Sequence, residues 1–110
     1  MADDLLQELK DRLLVTWDDE ATDRQLNRLL VRGQEYLNEL CDTTFTFAAG
    51  SPERELLMER CRYDWNNALS DFEDNFSKEL SRLILRAAVD DYNAAEEAAG
   101  DGTSTSTGNL

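Results

Sequence analysis

The sequence predicts an all-α protein: a small bundle of about four helices with one long central helix, a short extended loop between helices and a flexible C-terminal arm. Four segments carry apolar residues at helical spacing, which is typical of amphipathic helices. Cap-type residues precede several of them. The composition changes abruptly after Ala99, so we expect a helical domain over residues 1–99 and a low-complexity arm over residues 100–110.

The chain has 110 residues, which is the size of a single domain. Its 24 acidic and 11 basic residues give a net charge of −13, with no histidine. Such a charge argues against binding to the phosphate backbone of nucleic acids and against docking on anionic lipid. Two interpretations stay open: a solubilising surface, or an acidic face turned toward something to which the protein must not stick.

Two cysteines, Cys41 and Cys61, fall on apolar stripes, which predicts buried thiols and not a disulfide framework. The chain has no apolar run near 18 residues and no basic segment followed by an apolar one. We therefore expect neither a transmembrane nor a secretory segment, and a protein made in a reducing cytosol.

The first two helices are predicted from their leucine spacing and their caps. Asp3 and Asp4 can cap the first helix, which should end near Leu14. Acidic residues 18–20 suit the start of a second helix, and Thr22 with Gln25 resembles a capping box. That helix should run to about Cys41. Gly33 lies on its apolar face at a cost of about 1 kcal/mol, which predicts the close approach of another helix.

Residues 42–50 form the main connection between helices. From Thr43 to Phe47, polar and aromatic residues alternate with the period of a β-strand. A lone strand in a helical protein has unpaired edges. Two alternatives follow: Phe45 and Phe47 cover the core, or the segment pairs with a neighbouring subunit.

The strongest helix start is Ser51–Pro52–Glu53, with serine at the N-cap and proline at the first helical position. An apolar stripe then continues to Phe76 over about 25 residues, which predicts a helix roughly 37 Å long. Cap-type residues 74–77 should break or kink it. A last helix should resume at Leu80 and continue to about Ala95.

The inventory of reactive side chains predicts that the protein is not an enzyme and holds no metal or cofactor. Without histidine, nucleophilic catalysis would have to use Lys10 or Lys78, and neither lies in a recognisable motif. Two cysteines do not make a zinc site. Adjacent acids such as Asp18–Asp19 and Asp90–Asp91 diverge by about 100° on a helix, so neither pair converges on one ion.

The most specific pattern is the string ERCRYDWNNALSDFEDNFSKEL, from Glu59 to Leu80. With LLVTWDDEATD (residues 13–23) and YLNEL (residues 36–40), it resembles the head–tail connector, or head-completion adaptor, family of long-tailed bacteriophages. The likeness runs in order from about Leu5 to Tyr92. Its most specific residues are not what a generic amphipathic helix requires; they are Arg62, Tyr63, Asn66, Asn67, Ala68, Leu69, Asn75 and Phe76.

The resemblance implies a structural protein of the virion neck, assembled in the host cytoplasm. Members of the family are small helical proteins that form a ring, dodecameric as a rule, beneath the portal protein. The ring extends the DNA channel, through which DNA passes without specific binding, and it provides the platform for a stopper or tail-completion protein. An acidic or neutral channel lining would suppress sticking of DNA by like-charge repulsion.

The resemblance also implies two contact elements. The inter-helix loop becomes a candidate inter-subunit contact, with the residues Thr43, Thr44, Phe45, Thr46, Phe47 and Ala48. The C-terminal arm becomes a candidate portal-binding element, with the residues Gly100, Asp101, Gly102, Thr103, Ser104, Thr105, Ser106, Thr107, Gly108, Asn109 and Leu110.

Two alternatives come from other functional classes. The first is a free-standing acidic helical regulator, such as a DNA-mimic inhibitor, which would carry acids at phosphate-like spacing. The second is a small acidic hydrolase with a site that the sequence does not reveal. Phe45, Phe47 and Trp17 lie outside the main apolar stripes and favour a protein that keeps surface for a partner.

Overall fold

The computed structural model describes the backbone of residues 2–101 and the side chains of residues 5–96. The order of elements is α1 (Ala2–Leu13), α2 (Glu20–Cys41), α3 (Pro52–Trp65), a 3-10 turn (Leu69–Asp71), α4 (Phe72–Asn75) and α5 (Ser77–Asp101). No β-strand occurs within residues 2–101. The predicted all-α bundle is confirmed. None of the helices within this range is long and apolar enough to span a membrane.

Two residues, Leu14 and Asp19, define the junction of α1 and α2. Leu14 has a positive φ of 62°, and the next amide, that of Val15, donates to the carbonyl of Lys10 at 2.9 Å. Asp19 is the N-cap of α2, and its carboxylate accepts from the Thr22 amide at 3.0 Å. The predicted capping box at Thr22 and Gln25 is therefore wrong, because α2 already begins at Glu20 and Thr22 lies within its first turn.

A buried lysine ties the two helices together at this junction. The Lys10 ammonium lies 2.8 Å from the Asp23 carboxylate and 3.4 Å from that of Asp18. These partners raise the pKa of Lys10 above its ordinary value, with the Asp23 hydrogen bond as the largest cause. A buried charge is tolerated only when it is paired, so Lys10 orients the loop that starts α2.

The centre of the bundle is the contact between α2 and α3. Leu57 and Cys61 are fully buried on α3 and face Gly33 of α2. A Cβ atom placed on Gly33 would lie 2.6 Å from Leu57 Cδ1 and 3.7 Å from Cys61 Sγ. The predicted close approach at Gly33 is confirmed. Both cysteines are buried and free, as the apolar stripes predicted.

The long helix expected from Pro52 to Phe76 is divided, and α2 holds the central position. α3 ends at Trp65, where Asn67 adopts a left-handed φ of 58°. The Ala68 amide then donates to the Tyr63 carbonyl at 2.8 Å, and the Asn67 amide donates to that of Asp64 at 3.2 Å. This pair of bonds is a Schellman motif, which closes the helix. The break predicted near residues 74–77 is present between α4 and α5.

Aromatic rings hold the segment after α3 against the bundle. Phe72 is almost fully buried and lies edge-on to Tyr36 of α2 and Tyr63 of α3, with ring centroids 6.3 and 5.8 Å apart. Phe76 stacks on Phe72 at 5.1 Å. The last residues of the predicted apolar stripe, Phe72 and Phe76, therefore do pack on the core, but a turn separates them from α3.

Only the first half of α5 packs on the bundle. Leu80, Leu83 and Ala87 are its buried residues, at the spacing of one helix face. Every side chain from residue 88 to residue 96 is exposed. The second half of α5 therefore extends beyond the core that supports the first half.

We predict that Gly33→Ala lowers the free energy of unfolding by about 1 kcal/mol, because overpacking outweighs the helix propensity that alanine gains. In a Leu57→Ala background the same change should raise that energy by up to about 1 kcal/mol, because the clashing methyl group is gone. Urea denaturation of the four proteins measures both effects. A stabilising Gly33→Ala in the unaltered protein would contradict the close approach.

Candidate functional site

The loop between α2 and α3 turns its aromatic residues inward. Phe47 is only 4% exposed, and its ring lies edge-on to that of Phe45 at a centroid distance of 5.7 Å. Phe45 is half-buried, and its amide donates to Asn38 Oδ1 at 2.9 Å. Within one chain, the two rings cover the core, which was the first of the two alternatives. Phe47 is consequently not available to a partner, contrary to the expectation that both rings were kept as surface.

The backbone of this loop is held by α3 and α1. The guanidinium of Arg54 donates to the Phe47 carbonyl at 3.1 Å and to the Glu8 carboxylate at 2.7 Å. Phe47 has a positive φ of 54°, which is unusual for an aromatic residue. The burial of its ring and the bond to Arg54 hold it in that conformation.

The polar residues of the loop point outward. Thr44, Thr46 and Ala48 are exposed, while Thr43 is half-buried. The alternation in sequence thus marks an inner and an outer side without forming a strand. An inter-subunit contact through Thr43–Ala48 stays a prediction, and it would use these outward side chains.

The predicted arm begins inside α5. The backbone of Gly100 and Asp101 is helical, so the helix continues two residues past the change in composition. Residues 102–110 lie outside the described residues, and the predicted portal-binding role falls mainly on them.

A furrow runs along α5 beneath the loop and beside α3. It consists of two adjoining depressions of about 430 and 330 Å³, which share Pro52, Leu83 and Arg86. Acidic residues of α3, Glu55 and Glu59, form one rim of the larger depression. Its lining combines apolar and charged side chains, which suits the side chains of a peptide segment. The lining holds no nucleophile beside a base, as nucleophilic catalysis would require.

The acidic rim of the furrow is partly neutralised by α1. Arg12 donates to Glu55 through both terminal nitrogens, at 2.8 and 3.0 Å, and to Glu59 at 2.9 Å. This pairing lowers the pKa of the Glu55 carboxyl below its ordinary value. The cluster clamps α1 onto α3, and its role is structural.

Four of the seven exposed large apolar side chains among the described residues lie on α5. Leu85, Val89 and Tyr92 are 66%, 47% and 64% exposed, and they recur at helical spacing on one face. Ile84 adjoins them. The sequence pattern predicted this helix without marking Leu85, Val89 or Tyr92 as an exposed face. The signal that could have identified this face is a second apolar row on α5, offset from the row of Leu80, Leu83 and Ala87.

Other exposed apolar side chains are scattered. Trp17 is half exposed, as expected for a residue outside the main stripes, and its indole N–H donates to Thr22 Oγ1 at 3.3 Å. Val31 is half exposed on the outer side of α2. Single residues of this kind are common on monomers, whereas the row on α5 is contiguous.

The acidic pairs have structural roles or are solvated. Asp19 caps α2 and Asp18 contacts Lys10, while Asp90 and Asp91 are exposed on α5. Among the residues that the structure describes, no group of three or more side chains is placed to hold a metal ion.

Comparison of the chain with protein-family models, with curated proteins and with solved structures finds no match.

We predict that Phe47→Ala lowers the free energy of unfolding by about 3–5 kcal/mol, because it empties a buried site between the loop and the bundle. The neighbouring Thr46→Ala, at an exposed position, should change it by no more than about 0.5 kcal/mol. Thermal and urea unfolding of the two variants measures the difference. Equal stability of both variants would show that the loop does not pack on its own chain.

Proposed function

We propose that this protein is a ring-forming adaptor of a long-tailed phage neck, which docks beneath the portal, extends the DNA channel and carries the stopper or tail proteins. The resemblance in residues 59–80 supports this proposal, as does the all-α fold that the family implies.

The observation that carries the proposal is the second half of α5. Its residues 88–96 are all exposed, and Val89 and Tyr92 continue the apolar row that begins at Leu85. Isolated helices of this length are marginal in water, since most helix stability comes from packing. A helix end with an uncovered apolar row fits a protein that completes its fold by assembly.

The charge supports the same function. Six basic residues are paired with acids inside the chain, and the excess acid remains at the surface; the six are Lys10, Arg12, Arg24, Arg32, Arg54 and Arg62. A ring with this surface would repel a DNA backbone sliding through it, as a channel requires. An adaptor that bound DNA tightly would obstruct its passage.

The test of this proposal is sedimentation with the portal protein encoded in the same genome. We expect the free protein to sediment as a monomer or a weak oligomer, and to co-sediment with portal rings in a fixed stoichiometry. Sedimentation that is indifferent to the portal would contradict the proposal. Co-sedimentation with a nucleic-acid enzyme instead would favour the DNA-mimic alternative.

A second prediction concerns the arm. Deletion of residues 102–110 should leave the helical fold intact and reduce co-sedimentation with portal rings, because the proposed portal contact is lost. The matched control replaces the same residues by a glycine–serine segment of equal length, which should lose the contact as well. Circular dichroism checks the fold of both variants. Full portal binding by the deleted chain would rule out the arm as the attachment element.

A further inference from the structure

The exposed row on α5 extends by one turn beyond its apolar residues. Leu85, Val89, Tyr92 and Glu96 follow one another at steps of four, three and four residues, so they share one face. All four are exposed, and the Tyr92 hydroxyl donates to Glu96 at 3.1 Å. We call this set the α5 outer row. It ends in a carboxylate, and every charged residue after Arg86 is acidic.

A surface that covers this row must be basic and apolar at once. Nucleic acid and anionic lipid are excluded by like charge. The chain is strongly acidic overall, so a complementary patch on a second copy has to lie where its few basic residues are concentrated. One such place is α2, where Arg24, Arg28 and Arg32 follow each other without an intervening acid and the apolar Val31 is exposed among them.

The outer side of α2 has the same spacing as the α5 outer row. Arg24, Arg28, Val31 and Glu35 are exposed and also recur at steps of four, three and four residues. We call this set the α2 outer row. Val31 and Arg28 line a shallow depression of about 260 Å³. Arg32 lies beside the row, and its guanidinium donates to Asp64 at 2.8 Å.

The two rows match when the helices run antiparallel. In that orientation Glu96 faces Arg24, Tyr92 faces Arg28, and Val89 faces Val31, which gives an ion pair, a cation–π pair and an apolar contact. The fourth pair, Leu85 with Glu35, has no complementary chemistry. Both rows are exposed within the single chain. Their intramolecular contacts are weak and lie at the surface: Arg24 is 3.9 Å from Glu20, and Tyr92 donates to Glu96 within the row.

We propose that the α5 outer row of one copy docks antiparallel on the α2 outer row of the next copy. The two faces differ, so the contact is head-to-tail, and repetition of such a contact gives a ring when the rotation between copies closes and a filament when it does not. This inference rests on the proposed function for the ring, and it names the surfaces that join its subunits. It assigns the inter-subunit contact to the helices and not to residues 43–48.

Site-directed crosslinking tests the pairing. Val31→Cys and Val89→Cys are made in separate chains, mixed at high concentration and treated with a bismaleimide whose spacer spans about 8–10 Å, the usual distance between packed helices. The native thiols do not interfere, because Cys41 and Cys61 are buried and burial raises the pKa of both, that of Cys61 to about 12.

The mixture should give a heterodimer crosslink at least tenfold above either variant alone. A chain that carries both cysteines should give a ladder of oligomers, because each copy then reacts on two sides. A self-crosslink of Val89→Cys as strong as the mixed one would overturn the head-to-tail pairing. So would efficient crosslinking of Thr46→Cys in the loop without any product from the mixed pair.

Charge reversal tests the register. Arg24→Glu in the Val31→Cys chain should lower the crosslink yield several-fold, and Glu96→Arg in the Val89→Cys chain should restore it. Glu79→Arg, which makes the same charge change on α5 away from the row, should not restore it. Restoration by both variants would show a general effect of net charge and overturn the register.

The crosslinking result and the portal result are independent. Crosslinks in the predicted register without portal binding would leave the head-to-tail contact standing and remove the neck function. Portal binding with crosslinks only through the loop would retain the function and remove the helix pairing.

Discussion

The close contact of α2 and α3 at Gly33 is the constraint on which the rest of the structure depends. Because Gly33 has no Cβ, Leu57 and Cys61 approach the α2 backbone, and the two helices form one packed unit. α1 lies against this unit, the aromatic cluster around Phe72 closes one end of it, and the loop rings of Phe45 and Phe47 cover another part. Each of these elements buries its apolar surface against the unit that α2 and α3 form by packing closely together.

Many of the ion pairs in this acidic chain connect α1 to the other helices. Lys10 pairs with the start of α2, while Arg12 and Arg54 connect α1 to α3. The basic side chains near α1 are therefore paired within the chain, and acidic side chains remain in excess on the surface. Copies with such surfaces repel one another at low ionic strength, so any contact between them must use the basic residues that remain exposed. Arg24 and Arg28 on α2 are among those residues.

α5 has a packed half and an exposed half in one continuous helix. The first half is anchored by Leu80, Leu83 and Ala87, and this anchor fixes the direction of the second half. Val89 and Tyr92 are thereby presented to the surroundings on a rigid element, which is a more defined contact surface than a flexible loop. In the extended loop, Phe47 is buried in its own chain and Phe45 is half-buried, while an inter-subunit contact through its outward side chains stays a prediction.

Local signals in the sequence determined the fold class, the start of α3 at Ser51–Pro52, the end of α2 near Cys41, the buried cysteines and the need for a small residue at position 33. Each of these depends on helical periodicity or on a cap, which neighbouring residues decide. Periodicity shows that a face is apolar but not what covers it. Only the tertiary structure decided that Asn67 ends α3, that Phe47 lies inside, and that Val89 and Tyr92 remain uncovered, because burial depends on which distant elements meet.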